Sequence, residues 1–428
     1  MQSLRPLLLH FARLAGIAHF VPLSAAALML GVAMSFTAPY LSLFGVEAAG
    51  MSPFLAGIFM TSIAASGVVA STWAGRWSDR RERHRPLLVV SLGAAALGFA
   101  LLCVLRAHGP VIAAGTILLG AGAVSLSQIF SFVRAVLPVA DDAQRELASA
   151  ALRTMLSIAW VFGPALGALI LAQTGFTGLF LAAAAGFVAC AAIVARIPEP
   201  ARRPVAAHVQ APDRVAPPPD AARAAVVVAT RASVLRTLVA LTLIGLAANA
   251  TMIVLPLYIV HALGGTPANV SAALGLAALL EIPMMLWLGI RSTHLDKARW
   301  LTACALVHAA YFVGLAAATR VNLILPLQLL SACVVAITSC LGMTRVCDLM
   351  PTRPGTATAM FFSTARVGSI ASGVLSGACV DLFGYRATFA GCGGLALVAC
   401  VLLAVDAYGE RGGARRTSGA RHGFDSPH

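Results

Sequence analysis

The sequence predicts an all-α integral membrane protein with twelve transmembrane helices in two six-helix halves. The chain of 428 residues is 59% hydrophobic and only 11% charged, and its mean hydropathy is +0.88. A soluble domain needs more polar surface than this composition provides. The apolar residues form runs of about 20, which at a rise of about 1.5 Å per residue can cross a hydrocarbon layer of about 30 Å.

A change in composition divides the chain into two parts of similar size. Residues 198–233 contain seven prolines, which is typical of an extended, disordered linker. The fourth span ends in RAVLP and the tenth in CDLMP, each followed by a polar turn and a run of small residues, which indicates an internal repeat. We therefore predict a cytoplasmic tail, a first bundle, a linker, a second bundle and a disordered cytoplasmic tail, at residues 1–20, 21–197, 198–233, 234–405 and 406–428.

The positive charges predict the orientation in the membrane. The formal net charge is +14, and 25 of the 30 Lys and Arg lie in segments that share one face if the chain has twelve spans. Basic loops favour the cytoplasmic side. We therefore predict a multi-pass protein of the cell inner (plasma) membrane with both termini cytoplasmic. Topology explains the basic balance, and since no nucleic-acid-binding motif is present, we predict no nucleic acid partner.

The reactive residue types argue against an enzyme. The nine cysteines lie in apolar runs without a C-x-x-C pair, which is typical of small packing residues. The sequence shows no paired carboxylates and no metal-ligand cluster at a membrane surface, and its H-x-x-x-x-D match, from His208 to Asp213, lies in the Pro-rich linker away from the apolar runs. We predict no catalytic residue, no metal and no cofactor.

A charged segment of eleven residues, GRWSDRRERHR, separates the second and third apolar runs. Its order of residue types resembles the G-x-x-x-D-R-x-G-R-K-x loop between helices 2 and 3 of the major facilitator superfamily of secondary transporters. Glu82 stands where glycine is usual, and His84 where a basic residue is usual. The resemblance implies the major facilitator fold and a conformational latch formed by Gly75, Asp79, Arg80, Arg83 and Arg85.

The fifth span combines polar and small residues. Arg153 and Trp160 are seven residues apart and share one helical face. The sequence from Gly163 through Pro164 to Gly167 resembles the G-P-x-x-G core of the antiporter signature in export members of the superfamily. Helix packing through G-x-x-x-G is the alternative, and the two are compatible.

Glu281 is the main candidate for proton coupling. It lies nine residues before Ile290, hence about 14 Å from that end of its span and close to the midplane. Burying a charge there costs about 2.5–3.5 kcal/mol, so an ionisable residue indicates function. A permanently neutral Glu281 bonded to a helix backbone is the alternative. As solute ligands we predict Gln128, Arg153, Trp160, Asn249 and Gln328, of which the three amides could instead join neighbouring helices.

Five stretches together are similar to the bacterial sugar efflux transporters: the charged loop, APYLSLF from Ala38, LRTMLSIAWVFGP from Leu152, LEIP from Leu280 and DLMP from Asp348. The resemblance implies a proton-coupled antiporter that exports small sugars or glycosides by alternating access, as a monomer in the lipid bilayer. Arg366 departs from the small polar residue expected at its position. The alternatives are an exporter of drugs or other small hydrophobic compounds, and a receptor of transporter ancestry; Glu281 and the Asp79-Arg80 pair argue against the receptor.

Overall fold

A computed structural model of the chain describes residues 19–81, 83–137, 142–198, 231–291, 295–351 and 353–422. Within them, ten apolar helical stretches are long enough to cross a membrane, and two of these stretches each contain two helices. The predicted twelve-helix fold is confirmed. The helices α1–α4 are Phe20–Ala48, Pro53–Arg81, Arg85–Leu102 and His108–Val133; α5 and α6 make up Asp142–Arg196; α7–α10 are Arg231–Ala262, Pro267–Arg291, Lys297–Ala317 and Val321–Leu349; α11 and α12 make up Pro354–His422.

Single glycines join the helices of the two longest stretches. A straight helix of 55 residues would be about 80 Å long, far more than one crossing of the bilayer requires. Gly175 has φ 67° and ψ −170°, and Gly384 has φ 80° and ψ 173°. This extended conformation with positive φ is essentially restricted to glycine. The chain therefore turns between α5 and α6, and between α11 and α12, without a longer loop.

Each half contains an aromatic cluster near the turns of these glycines. In the first half, Phe44 of α1 packs edge-on against Phe180 of α6 with ring centroids 4.8 Å apart. In the second half, Tyr258 of α7 packs in the same way against Phe389 of α12 at 5.1 Å. The two halves therefore use equivalent helices to build similar cores.

The two halves contact each other near one face of the bundle, which we call the far face. This face contains the end of α1 and the start of α2, and it lies opposite the start of α1 and the end of α12. The Tyr40 hydroxyl oxygen of α1 lies 3.4 Å from the carbonyl oxygen of Pro267, at the start of α8. On α2, the Phe54 amide donates to the Asp381 carboxylate of α11 at 3.1 Å, and the Thr61 hydroxyl donates to the Ile370 carbonyl at 2.9 Å. In this conformation the far face is closed.

Two predicted segments fall mainly outside the described residues. The first tail, predicted as residues 1–20, is described only from residue 19. Of the linker, predicted as residues 198–233, the structure describes only residues 198 and 231–233. The last segment, predicted as a disordered tail from residue 406, continues as helix to His422. The division into two bundles at these boundaries stays a prediction.

Candidate functional site

A cavity of about 360 Å³ lies between the halves. This volume is at the lower end of the range for small-molecule pockets, about 300–1,000 Å³. The first half contributes three lining residues, Pro39, Trp160 and Pro164, and the second half contributes the rest from α7, α8, α9 and α10. Most of the lining is aliphatic, and the polar side chains on it are Thr251, Glu281, His308, Tyr311, Gln328 and Ser331. The site can therefore hold a small solute that combines apolar faces with a few hydrogen-bonding groups.

Glu281 lies at mid-depth on the cavity wall. Helix α8 runs from Pro267 to Arg291, which places Glu281 about 21 Å from the first end and about 15 Å from the second. The side chain is half-buried and lines the cavity. Within the part of the chain that the structure describes, it has no hydrogen bond or ion pair. The carboxyl group is therefore positioned to face a bound solute.

Two of the predicted solute ligands line the same cavity and two others do not. Trp160 and Gln328 are on its wall, and the Gln328 amide donates to the Ile324 carbonyl at 3.1 Å. Asn249 donates to the Gly245 carbonyl of its own helix at 2.7 Å and is not a lining residue. The side chain of Arg153 is outside the described part of the structure, so its predicted role stays a prediction.

Gln128 lies beside the charged loop instead of the cavity. Its side chain is 2% exposed. The amide donates to the Ser78 hydroxyl at 3.3 Å, and its oxygen lies 3.4 Å from His84 Nδ1. Gln128 thereby connects α4 to the end of α2, a placement that favours a structural contact over the predicted binding of solute.

The predicted latch residues surround the end of α2. Gly75 lies on α2, and Arg80 and Arg83 are exposed. Arg85 donates to the Ile197 carbonyl, after the end of α6, at 3.2 Å. The side chain of Asp79 is not described, so the latch role of this group stays a prediction.

The two glycines of the fifth span pack against α1. A Cβ atom at Gly163 would lie 1.8 Å from the Ser35 hydroxyl oxygen, and one at Gly167 would lie 2.3 Å from the Phe36 carbonyl oxygen. Between them, the Pro164 carbonyl accepts a hydrogen bond of 3.0 Å from Tyr40. The motif thus lets α1 and α5 approach closely beside the cavity, and its connection with antiport stays a prediction.

Arg366 is exposed on α11 and does not line the cavity. It shares a helical face with Ile370, which contacts α2 one turn closer to the far face. Asp348, near the end of α10, pairs with Lys297 at 2.5 Å.

Sequence reasoning missed His308 and Tyr311. They are three residues apart on α9, so both point towards α10 and the cavity. The available signal was two polar rings at helical spacing within an otherwise apolar span, HAAYF.

Two helical halves around a central cavity define a membrane transporter and not an enzyme. Residues 23–372 and 237–426 match the family model described as Major Facilitator Superfamily, and the chain belongs to this superfamily. A relative from Deinococcus radiodurans is 36% identical over 385 residues, covering 89% of this chain and 96% of the relative. Sugar efflux transporter A of Escherichia coli (strain K12) is 31% identical over 366 residues, covering 85% of this chain and 90% of that protein.

Solved structures support the fold. The crystal structure of the nucleoside transporter NupG superposes with a TM-score of 0.74 at 12% identity, covering 91% of this chain and 99% of that chain. At this level of identity the likeness concerns the fold alone. The resemblance to the superfamily and its sugar efflux members, predicted from short motifs, is confirmed.

Proposed function

We propose that the protein exports small sugars or glycosides in exchange for protons, by alternating access, with Glu281 as the proton carrier. The observation that carries the proposal is the carboxyl group of Glu281 on the wall of a central cavity that both halves line. In transporters built from repeats, solute and coupling ions bind near the midplane at the interface between the repeats. Similarity to a sugar efflux transporter over most of the chain supports a sugar as the solute.

The cavity suits a sugar on chemical grounds. A sugar ring has apolar faces and a polar edge. The cavity is lined by Trp160 and aliphatic residues as well as by the polar side chains of α9 and α10. The indole can stack on an apolar sugar face, while the hydroxyl groups find partners on the opposite wall. Gln328 remains in this proposal as a solute ligand.

Glu281 can couple the two fluxes because its carboxyl group lines the cavity and can take up or release a proton there. A protonated carboxyl loses its charge and can cross between the two conformations at lower cost than a carboxylate. One proton driven by about 100 mV supplies about 2.3 kcal/mol, enough to sustain a sugar gradient of roughly 40-fold. The energetics therefore permit export with one proton per sugar.

The orientation follows from charge. We propose that the face carrying the start of α1 and the end of α12 is cytoplasmic, because the basic segments, including the exposed Arg80 and Arg83, lie there. The closed far face is then the outer one, and the described conformation is open to the inside or occluded. A fluorescent protein that matures only in the cytoplasm, fused to the C-terminus, should fluoresce; absence of fluorescence from a fusion that is inserted would reverse the orientation.

Proteoliposomes loaded with radiolabelled lactose or a thio-galactoside test the transport proposal. With acid outside, liposomes that contain the wild type should release sugar faster than protein-free liposomes loaded with the same sugar. A proton uncoupler should abolish this difference. Glu281→Gln is permanently neutral, so it should lose the response to the pH gradient but retain exchange of internal for external sugar at equal pH. Loss of both activities in a folded Glu281→Gln would mean that Glu281 does more than carry the proton.

The same preparation separates the sugar proposal from its rival. An exporter of small hydrophobic compounds would release no sugar and would instead extrude a lipophilic dye under the same gradient. That outcome would overturn the sugar assignment while leaving proton coupling intact.

A further inference from the structure

Four polar side chains form one wall of the cavity, which we call the polar wall. His308 and Tyr311 belong to α9, and Gln328 and Ser331 to α10. His308 is 2% exposed, and Tyr311 and Gln328 are 1% exposed. The polar wall is therefore deeply buried and can be reached only by a molecule that enters the cavity.

Two atoms of the polar wall lack hydrogen-bond partners within the described structure. They are His308 Nδ1 and the Tyr311 hydroxyl oxygen, both fully buried. The side chains of Gln328 and Ser331 lie close enough to interact with the Tyr311 hydroxyl, but neither forms a hydrogen bond of normal geometry with it. A buried polar group without a partner is costly, and most such groups in folded proteins are paired. Neither group is paired within the described protein, so each can pair with a molecule in the cavity.

The comparison with Tyr258 shows that the fold can satisfy a buried tyrosine. Tyr258 is equally buried, and its hydroxyl lies 2.9 Å from the Ala318 carbonyl and 3.1 Å from the Leu315 carbonyl. Tyr258 does not line the cavity. The tyrosine outside the cavity is thus paired with protein groups, whereas the tyrosine on the cavity wall is not.

His308 and Tyr311 both pack against the ring of Phe312. The His308 ring centroid lies 4.6 Å from that of Phe312, and the Tyr311 centroid lies 5.2 Å from it. Both side chains are therefore held against the cavity in the empty protein. A solute that supplies hydrogen bonds would find them preorganised.

We infer that the polar wall determines solute specificity, with His308 and Tyr311 pairing with hydroxyl groups of a neutral polyhydroxy solute. Each hydroxyl of such a solute can donate and accept, so it suits both a phenol and an imidazole in either tautomer. A site that pairs with a solute hydroxyl strongly rejects an analogue without it, because the buried protein groups then stay unpaired. This inference rests on the proposed function and explains how sugars are distinguished from apolar compounds of similar size.

Binding of radiolabelled methyl galactoside and its single-deoxy analogues to the purified full chain in nanodiscs tests the inference. Tyr311→Phe removes only the unpaired oxygen, so it should weaken binding of the parent sugar by about five- to tenfold. For the deoxy analogue that lacks the partner hydroxyl, wild type and Tyr311→Phe should bind equally. His308→Phe, which keeps an aromatic ring against Phe312, should weaken binding similarly and provides a second, independent variant.

Thermal unfolding without sugar gives a second readout. Tyr311→Phe should unfold at the same temperature as the wild type or higher, because it removes an unpaired polar atom. The matched control Tyr258→Phe should unfold at a lower temperature and bind sugar as the wild type does. A role of Tyr311 in structure alone would instead lower the unfolding temperature and leave the ratio of parent to deoxy affinity unchanged, which would overturn the inference.

The outcomes also separate this inference from the proposed function. If the wild type binds the sugar and both ring variants bind it equally well, the inference fails and sugar export stands. If the wild type binds neither the galactoside nor lactose, both fail together.

Discussion

Glu47 and His261 contact each other across the boundary between the two halves, with Oε1 and Nε2 3.3 Å apart. Each is the fourth residue of a π-helical turn, in Phe44–Ala48 at the end of α1 and in Tyr258–Ala262 at the end of α7. Glu47 and His261 therefore occupy equivalent positions in the two halves. Two equivalent residues that contact each other must lie close to the axis that relates the halves.

The backbone around the pair repeats in detail. The Met51 amide donates to Gly45 at 2.8 Å, and the Gly265 amide donates to Ile259 at 2.8 Å. Gly50 has φ 67° and Gly264 has φ 65°. The pair thus joins two copies of one turn at the centre of the closed far face, where it can stabilise closure.

The first prediction is that Glu47→Gln or His261→Gln shifts the protein towards opening of the far face. Both side chains are about one-third exposed, so the pair contributes about 0.2–1 kcal/mol and its loss should change the open population by up to about fivefold. Hydrogen exchange of the turns at residues 44–52 and 258–266 should rise accordingly. The double variant Glu47→His/His261→Glu should restore wild-type exchange; if it behaves like the single variants, the pair is not what holds the turns.

A second prediction concerns the turn glycines. Gly175→Ala places a side chain at φ 67°, ψ −170°, which costs about 1–3 kcal/mol, so the purified protein should unfold at a lower temperature. Gly391→Ala is the matched control: it lies inside a helix, and its added Cβ would meet no atom within 4 Å. Its unfolding temperature should equal or exceed that of the wild type. Equal losses in both variants would contradict the special role of the Gly175 conformation.

These glycines also show how far the sequence leads. Apolar run lengths predict twelve spans, because bilayer thickness fixes the length of a helix, and the structure agrees. The hydropathy pattern does not predict that a single residue forms the turn between α5 and α6, because it carries no information about backbone dihedral angles. The number of spans follows from the local composition of the sequence, whereas the backbone conformation of each turn depends on how the helices pack.

The residues that line the cavity are harder to predict from the sequence than the number of spans. Glu281 and Trp160 could be predicted because a carboxyl group or an indole among aliphatic residues is conspicuous, and both line the cavity. Gln128 is just as conspicuous, yet it contacts Ser78, because tertiary neighbours decide which polar group faces the cavity. His308 was overlooked because a ring in an apolar span gives a weak signal; only the structure shows that its Nδ1 is unpaired.

A third prediction concerns Asp406, which joins α12 to the start of α7. Its carboxylate lies 2.5 Å from Arg236 Nη2 and accepts a bond of 3.3 Å from the Thr237 hydroxyl. The Asp406 side chain is 2% exposed and that of Arg236 33%. Asp406→Asn should lower the free energy of unfolding by about 1–3 kcal/mol, since hydrogen bonds to charged groups are lost.

Asp348→Asn is the control for this measurement, which is denaturant unfolding of the purified protein. Asp348 pairs with Lys297 but is 51% exposed, so its loss should cost less than about 1 kcal/mol. A smaller effect for Asp406→Asn than for Asp348→Asn would show that burial does not strengthen the first pair.

The last prediction concerns the close contact between α2 and α11. A Cβ atom at Gly57 would lie 2.3 Å from the Gly373 carbonyl oxygen and 3.2 Å from the Gly377 Cα. Because these neighbours are backbone atoms, they cannot move aside as a flexible side chain could. Gly57→Ala should therefore prevent full closure of the far face and slow sugar exchange in proteoliposomes, while hydrogen exchange of the turn at residues 44–52 should rise.

Gly93→Ala provides the control, because the added Cβ on α3 would meet no atom within 4 Å. Its transport rate and hydrogen exchange should match those of the wild type. If alternating access needs α2 and α11 to touch, a larger residue at Gly57, such as Val, should slow exchange further than Ala does. Transport by Gly57→Val at the wild-type rate would show that closure of the far face does not depend on this contact.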